Sequence, residues 1–285
     1  MDFLQAIQQY EFLQKALFTS VVVGIICGVI GSFIILRGMS LMGDAISHAV
    51  LPGVALSYAF GIHFFIGAVA TGVLTAVGIG FVSQNSRIKN DTAIGILFTS
   101  AFALGIILVT MLKSSTDLYH ILFGNVLAVR PSDMWLTVGI GVVVLITVYA
   151  FFKELLLTSF DPTIAAAYGL PNKLIHYLLM TLLTLVTVAS LQTVGIILVV
   201  AMLITPAATA YLLTDRLWMM LCLAGFFGMM SSIVGLYFSF TYNLASGATI
   251  VMVATAFFIL AFLFSRKHGI VWKSVRARQK RAQLS

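Results

Sequence analysis

Six stretches without Asp, Glu, Lys or Arg constrain this chain more than any other feature of its sequence. A helix needs about 20 residues to cross roughly 30 Å of hydrocarbon. Lys15 and Arg37 bound a charge-free run of 21 residues, Asp91 and Lys113 another of 21, and Asp133 and Lys153 one of 19. Three longer runs are long enough for two crossings each: 42 residues from Asp44 to Arg87, 41 from Lys173 to Asp215, and 49 from Arg216 to Arg266. Their turns are expected near Gly61, near Gln192, and over Tyr242 to Gly247. The pattern predicts nine transmembrane helices, or eight if one is short or broken. Only 12 residues separate Asp117 from Arg130, so that segment is read as interfacial or re-entrant.

Composition agrees. The 285 residues are 61% apolar and 9% charged, with a mean hydropathy of +1.09. A soluble domain carries roughly 25% charged residues, and one globular core of this size cannot hide so much apolar surface. The chain is therefore expected to be an all-α polytopic membrane protein. Residues 1–265 form its single membrane domain and 266–285 a basic tail. Cys27 and Cys222 fall in mid-helix and read as small packing residues rather than a disulfide or a zinc cluster.

Lys and Arg set the expected orientation. With nine spans and the tail inside, 13 of the 16 basic residues are inside and only Lys15, Lys113 and Arg130 are outside. The net charge of +7 then reads as positive-inside bias and anionic-lipid contact, with no nucleic-acid partner. Asp2 and Glu11 precede the first lysine, the reverse of a basic signal-peptide start, so the first span is expected to be retained.

Three segments carry chemistry. In Gly43-Asp44-Ala45-Ile46-Ser47-His48, Asp44 and His48 stand four residues apart, on one helical face, with Ser47 beside them. Ionisable groups within a span are costly and mark a pathway or a pair. One carboxylate oxygen and one imidazole nitrogen suit Mn, Fe or Zn better than Cu(I). The same pair also suits a structural hydrogen bond, and two donors are only half a metal site. Ser47, carbonyls, water or a second protomer would supply the rest. Asp161 to Pro171 reads as a complete short helix in an inner loop: Asp161 as N-cap, Pro162 at N1, Ala165 and Ala166 within, Gly169 at C′ and Pro171 as the stop. Val194 to Ala210 carries Pro206 in a span interior, where it frees a carbonyl one turn earlier.

These segments, with Ser246-Gly247-Ala248-Thr249, run collinearly through most of the chain. They resemble the permease subunit of the metal-importing ATP-binding-cassette transporters, the zinc/manganese/iron (ABC-3) family, with the manganese branch nearest. The resemblance implies a type II, vitamin-B12-importer-like permease in a bacterial cell membrane. It implies a second copy of the chain, two cytoplasmic ATPase subunits and an extracellular metal-binding lipoprotein as partners. It further implies that Asp161 to Gly169 is the coupling helix, with Asp161, Pro162, Ala165, Ala166 and Gly169 meeting the ATPase. Asp44 and His48 are implied to be ligands of the transported divalent metal, most plausibly manganese, with zinc or iron as alternatives and no resident cofactor. Where family members often have a proline before the Ser-Gly-Ala segment, this chain has Ala245.

Other classes fit less well. Only two glutamates occur, Glu11 and Glu154, neither beside a histidine, which argues against a zinc metalloprotease. No GxxxxGK[ST] pattern occurs, so the chain is not expected to hydrolyse ATP. A secondary metal transporter predicts several carboxylates at midplane, where this chain offers Asp44 alone. Asp117 and His120, three residues apart in the outer segment, are a second candidate pair that would take metal in. His63 and His176 read as imidazoles near span ends, and Gln192 as a group facing either the dimer or the pore.

Overall fold

The computed structural model describes residues 3–112 and 126–265. Asp117, His120 and the 266–285 tail lie outside the described residues. The short helix α1 (Phe3–Gln9) leads into α2 (Glu11–Leu36). Two short helices follow, α3 (Met42–Ala49) and α4 (Leu51–Phe60), then α5 (Phe64–Asn85) and α6 (Asn90–Met111). After a 3-10 turn at Val126–Ala128 come α7 (Pro131–Ala150), α8 (Phe152–Phe160) and α9 (Pro162–Ala167). The chain continues through α10 (Asn172–Val194), α11 (Ile196–Leu213), α12 (Leu217–Tyr242) and α13 (Ser246–Phe264).

Eight of these helices are continuous, long and apolar enough to span a bilayer, among the described residues. The remaining expected span, the first half of the Asp44–Arg87 run, is broken into α3 and α4 at Val50. Its cause is Pro52, which has no N–H to give the His48 carbonyl and whose ring crowds that turn. Thr71 of α5 donates its hydroxyl to the Val50 carbonyl at 3.3 Å, so the break is supported from a neighbouring helix. Other expected turns fall close to plan. Gly61 caps α4 in the left-handed region at φ +65°, and Asn243 does the same for α12 at φ +52°. The expected break near Gln192 comes three residues later, at Gly195, where φ is +84°.

Helix α2 is the centre of the bundle: 72% of its apolar stretch is buried, against 11% for α6 at the periphery. With no water to drive apolar surfaces together, helices in lipid associate through close backbone approach at small residues. Gly24, Gly28 and Gly31 provide it on one face of α2. A Cβ on Gly24 would stand 2.5 Å from the Gly228 carbonyl oxygen, and one on Gly28 2.6 Å from that of Ala224. Gly31 meets the Leu203 backbone of α11 in the same way. Ser232 of α12 closes the α2 contact by donating to the Ser20 carbonyl at 2.8 Å. Cys27 is buried, its sulfur 3.8 Å from the Ser190 hydroxyl. Cys222, expected to pack inside, is exposed along a groove instead.

Replacing Gly228 with Leu puts a side chain against the Gly24 backbone, which cannot yield as a flexible side chain would. Overpacking of this kind costs about 1–3 kcal/mol or more. The thermal midpoint of Gly228→Leu in detergent should fall clearly, while Gly95→Ala, with nothing within 4 Å of the added carbon, should stay near wild type. Equal midpoints would remove the close-packing account.

Candidate functional site

Gly38, at φ +65°, turns the chain after α2 and feeds it into α3. Met42, Ile46 and Ala49 bury one face of that helix, and Gly43 fits against Leu203, whose Cδ1 lies 2.7 Å from where a Cβ would be. Asp44 and His48 are left half-buried on the face toward α11. His48 Nε2 is 3.4 Å from Asp44 Oδ1, long for a strong hydrogen bond. Two donors about 2.1 Å from one ion, in adjacent coordination positions, stand about 3.0–3.5 Å apart. The pair thus has the bite that a single divalent ion requires.

Both side chains face a cavity of about 490 Å³. Its remaining walls are Ile196, Ile197, Val200, Ala201, Ile204 and Thr205 of α11 and Val251 of α13. Among the described residues Asp44 and His48 are the only ionisable groups on that lining, and Thr205 adds one hydroxyl. Phe102 meets the His48 ring edge-on at 5.2 Å and Phe98 lies at 6.2 Å, so aromatic rings of α6 hold the imidazole in place. His48 Nδ1 is buried with no hydrogen-bond partner among the described residues. Ser47 is buried outside this lining and donates its hydroxyl to the Gly43 carbonyl at 2.8 Å. The nearby Met39 and Met42 are also buried, as packing. No group of three or more His, Cys, Asp or Glu with metal-holding geometry occurs among the described residues.

The Asp161 segment folds as its sequence dictates. Asp161 Oδ1 accepts from the backbone N–H of Thr163 and Ile164, both at 2.9 Å, and Pro162 takes the first helical position. At the other end Leu170 N–H bonds the Ala165 carbonyl at 3.1 Å and Gly169 N–H that of Ala166 at 2.9 Å. That is a Schellman cap, and it needs the left-handed Gly169, here at φ +77°. Ala165 is buried against the bundle, while Ile164, Ala166 and Tyr168 are exposed. Asn172 Nδ2 ties α10 back to the Pro162 carbonyl at 2.6 Å.

Several groups near these segments have no short-range sequence signal, because their partners come from distant helices. Arg37, at the end of α2, donates to Ser159 Oγ at 3.0 Å and Thr158 Oγ1 at 2.8 Å, with His176 Nδ1 3.4 Å away. Burial pushes its pKa down to about 10, which leaves it charged at neutral pH. Arg37 thereby joins the central helix to α8, whose end leads into the capped segment. Gln192 donates its amide to Asp133 Oδ1 at 3.0 Å, while its buried Oε1 has no partner among the described residues. His63 caps α5 by accepting from Phe65 N–H at 3.3 Å.

The model of the ABC 3 transport family matches residues 9–265. The chain belongs to that family. It is 67% identical to the manganese transport system membrane protein MntC of Listeria monocytogenes, over 97% of this chain and 99% of the relative. It is 56% identical to the manganese import system permease protein ScaB of Streptococcus parasanguinis, over 93% and 95%. Among solved structures, PsaBC from Streptococcus pneumoniae in complex with Fab superposes with a TM-score of 0.85 at 55% identity, covering 93% of this chain and 96% of that one. The protein is accordingly a multi-pass membrane permease with the fold expected of it, and a transport component rather than a proton- or sodium-driven carrier.

The cap geometry makes a local prediction. Val strongly disfavours positive φ whereas Asn tolerates it, so Gly169→Val should loosen the segment and Gly169→Asn should not. Chymotrypsin cleavage after the exposed Tyr168 in detergent-solubilised protein should quicken several-fold in the Val variant only. Equal cleavage in all three proteins would show that the cap does not hold the segment.

Proposed function

We propose that this chain is the membrane-spanning permease of an ATP-driven manganese importer, with Asp44 and His48 as ligands of the ion in transit. The pair of donors 3.4 Å apart on the wall of an otherwise apolar cavity carries the reading. Family membership and the manganese-transport names of its relatives support the substrate class. A second copy of the chain brings the remaining donors, since Asp44 and His48 fill only part of a shell and the described residues of one protomer add no third His, Cys, Asp or Glu. Two cytoplasmic ATPase subunits grip the exposed face of α9, and an extracellular lipoprotein delivers the ion. Closure of the ATPases pushes the Asp161 to Gly169 segment, and Arg37 carries that displacement from α8 into α2. Asp161 and Gly169 act here through the two caps, Pro162 by starting the helix, and Ala165 by seating it. Ala166 faces the ATPase.

Zinc or iron is the alternative cargo. By the Irving–Williams order an Asp–His pair binds Zn(II) more tightly than Mn(II), so selectivity for manganese rests on geometry, delivery and availability. Losing an outer-shell partner of a metal ligand already costs 10–100-fold in affinity or activity, roughly, and losing a ligand costs at least that. Asp44→Ala and His48→Ala should therefore each lower cellular manganese uptake by about tenfold or more at equal membrane expression. Wild-type uptake in either variant would end the ligand assignment, and loss of zinc uptake alone would reassign the cargo.

The coupling role requires α9 to be inside. In a Cys27→Ala/Cys222→Ala background, Thr163→Cys should react with a membrane-impermeant thiol reagent only after permeabilisation. Reaction in intact cells would invert the orientation and remove the coupling role.

A further inference from the structure

A recess of about 230 Å³ lies where α2 and α8 end, and it shares no lining residue with the Asp44/His48 cavity. Its walls are Arg37 just past α2, Gln84 of α5, Thr158 of α8, and Asn172, Lys173 and His176 from the start of α10. Apart from Pro162, the first residue of α9, every group on the lining is polar. Two of them are cations, and no Asp or Glu joins them among the described residues. Sites for drug-sized organic ligands run to about 300–1,000 Å³. The smaller volume here suits a compact ion with a few waters.

Arg37 is a half-buried charge without a countercharge. Neither it nor Lys173 is ion-paired to a carboxylate among the described residues, although charges taken out of water are ordinarily paired. Asp161, next to Pro162, has its Oδ1 on the Thr163 and Ile164 N–H, and neither it nor Glu154 is on the lining. A guanidinium has five N–H donors. Ser159, Thr158 and His176 take one each, which leaves one on each terminal nitrogen of Arg37. The Asn172 amide has the opposite need. Its Nδ2 donates to the Pro162 carbonyl at 2.6 Å, so turning the amide over would set oxygen against oxygen. Its Oδ1 is buried and has no partner among the described residues. The recess thus combines unspent cationic donors with one unspent acceptor.

We propose that this recess binds one protonated inorganic oxyanion, phosphate in its hydrogen-phosphate forms. Its bare oxygens accept from Arg37 and Lys173, and its P–OH donates to Asn172 Oδ1. Phosphate keeps at least one proton at neutral pH. Sulfate keeps none, so it would turn a lone pair toward Asn172 Oδ1 and leave that buried acceptor unsatisfied. The phosphodiester of a phospholipid lacks the O–H as well. A bound ion would tie Arg37 to α10 at the base of α9. Under the transport role proposed above, phosphate is also what ATP hydrolysis releases, but the binding assignment does not rest on that role.

Equilibrium dialysis of the full chain in detergent against radiolabelled inorganic phosphate tests the site. Binding should saturate at one ion per chain, and sulfate should compete about tenfold more weakly than unlabelled phosphate. Lys173 is exposed, so Lys173→Gln should fold; it should weaken binding about tenfold through the loss of one charge-assisted hydrogen bond. Lys89→Gln, at an exposed lysine off the lining, should leave binding unchanged. Asn172→Ala should still bind phosphate but bring the phosphate-to-sulfate ratio to within about twofold. Absence of saturable binding would overturn the proposal and leave the two cations to a carboxylate of a partner chain. Equal affinity for sulfate in the unsubstituted chain would also overturn it, since that means an adventitious ion only. So would unchanged affinity in Lys173→Gln together with unchanged selectivity in Asn172→Ala. Displacement of phosphate by phosphatidylglycerol at equal phosphorus concentration would give the site to a lipid headgroup instead. Metal uptake is a separate readout and tests the transport role alone.

Discussion

In hydrocarbon an unpaired backbone N–H or C=O costs several kcal/mol, so the helical ladder is interrupted only where something else satisfies it or a cavity receives it. This protein has five prolines, and their placement follows that constraint. Pro131 and Pro162 open helices, where no N–H is needed, and Pro171 immediately precedes α10. Only Pro52 and Pro206 interrupt a ladder within the bundle, and both flank the Asp44/His48 cavity. Pro52 faces the carbonyl of His48 itself, and Pro206 follows the lining residue Thr205. Both prolines thus act on the backbone next to residues of one cavity's lining, His48 and Thr205.

Side-chain hydroxyls bond carbonyls close to both prolines, though not the His48 and Met202 carbonyls that the prolines leave without an N–H. Thr71 reaches the Val50 carbonyl across from α5, and Thr209 returns its hydroxyl to the Thr205 carbonyl at 2.7 Å beside Pro206. The buried Ser47 belongs to the same class, bonded to Gly43 within α3. Its hydroxyl steadies the short helix that carries Asp44 and His48, so its place beside them in sequence reflects backbone support.

What the sequence made legible was local. Charge-free runs located the spans because a charge at the bilayer centre is expensive, and turns at Gly61 and Asn243 followed from residues that accept positive φ. The caps of the Asp161 segment were readable because their bonds close within ten residues. The shift of the α10–α11 break from Gln192 to Gly195 has a tertiary cause: Gln192 is engaged with Asp133, 59 residues away, and remains helical. Arg37 was equally opaque. It reads as a basic residue ending a span, but its partners Thr158, Ser159 and His176 lie more than 120 residues on. The break at Val50 was not legible, because Pro52 reads as part of one crossing and the extra bond that the Val50 carbonyl accepts comes from Thr71, 21 residues on.

A transport site has to release what it binds, and the ligand pair proposed above, Asp44 and His48, would suit that requirement. A structural zinc site is closed by four protein ligands and holds its ion as part of the fold. The proposed pair would offer one oxygen and one nitrogen from the same helix, and the facing wall is aliphatic apart from the Thr205 hydroxyl. An ion on this pair keeps most of its coordination positions for exchange. Among the described residues the lining carries no sulfur: Met39 and Met42 are buried in packing and Cys27 lies against Ser190. Soft ions such as Cu(I) gain nothing there, while oxygen and imidazole accept Mn(II) readily. If a second copy places its own carboxylate and imidazole opposite, the ion meets two oxygens and two nitrogens that are drawn together or apart as the two protomers move. Affinity is then a function of the dimer's conformation, which is the property that alternating access requires.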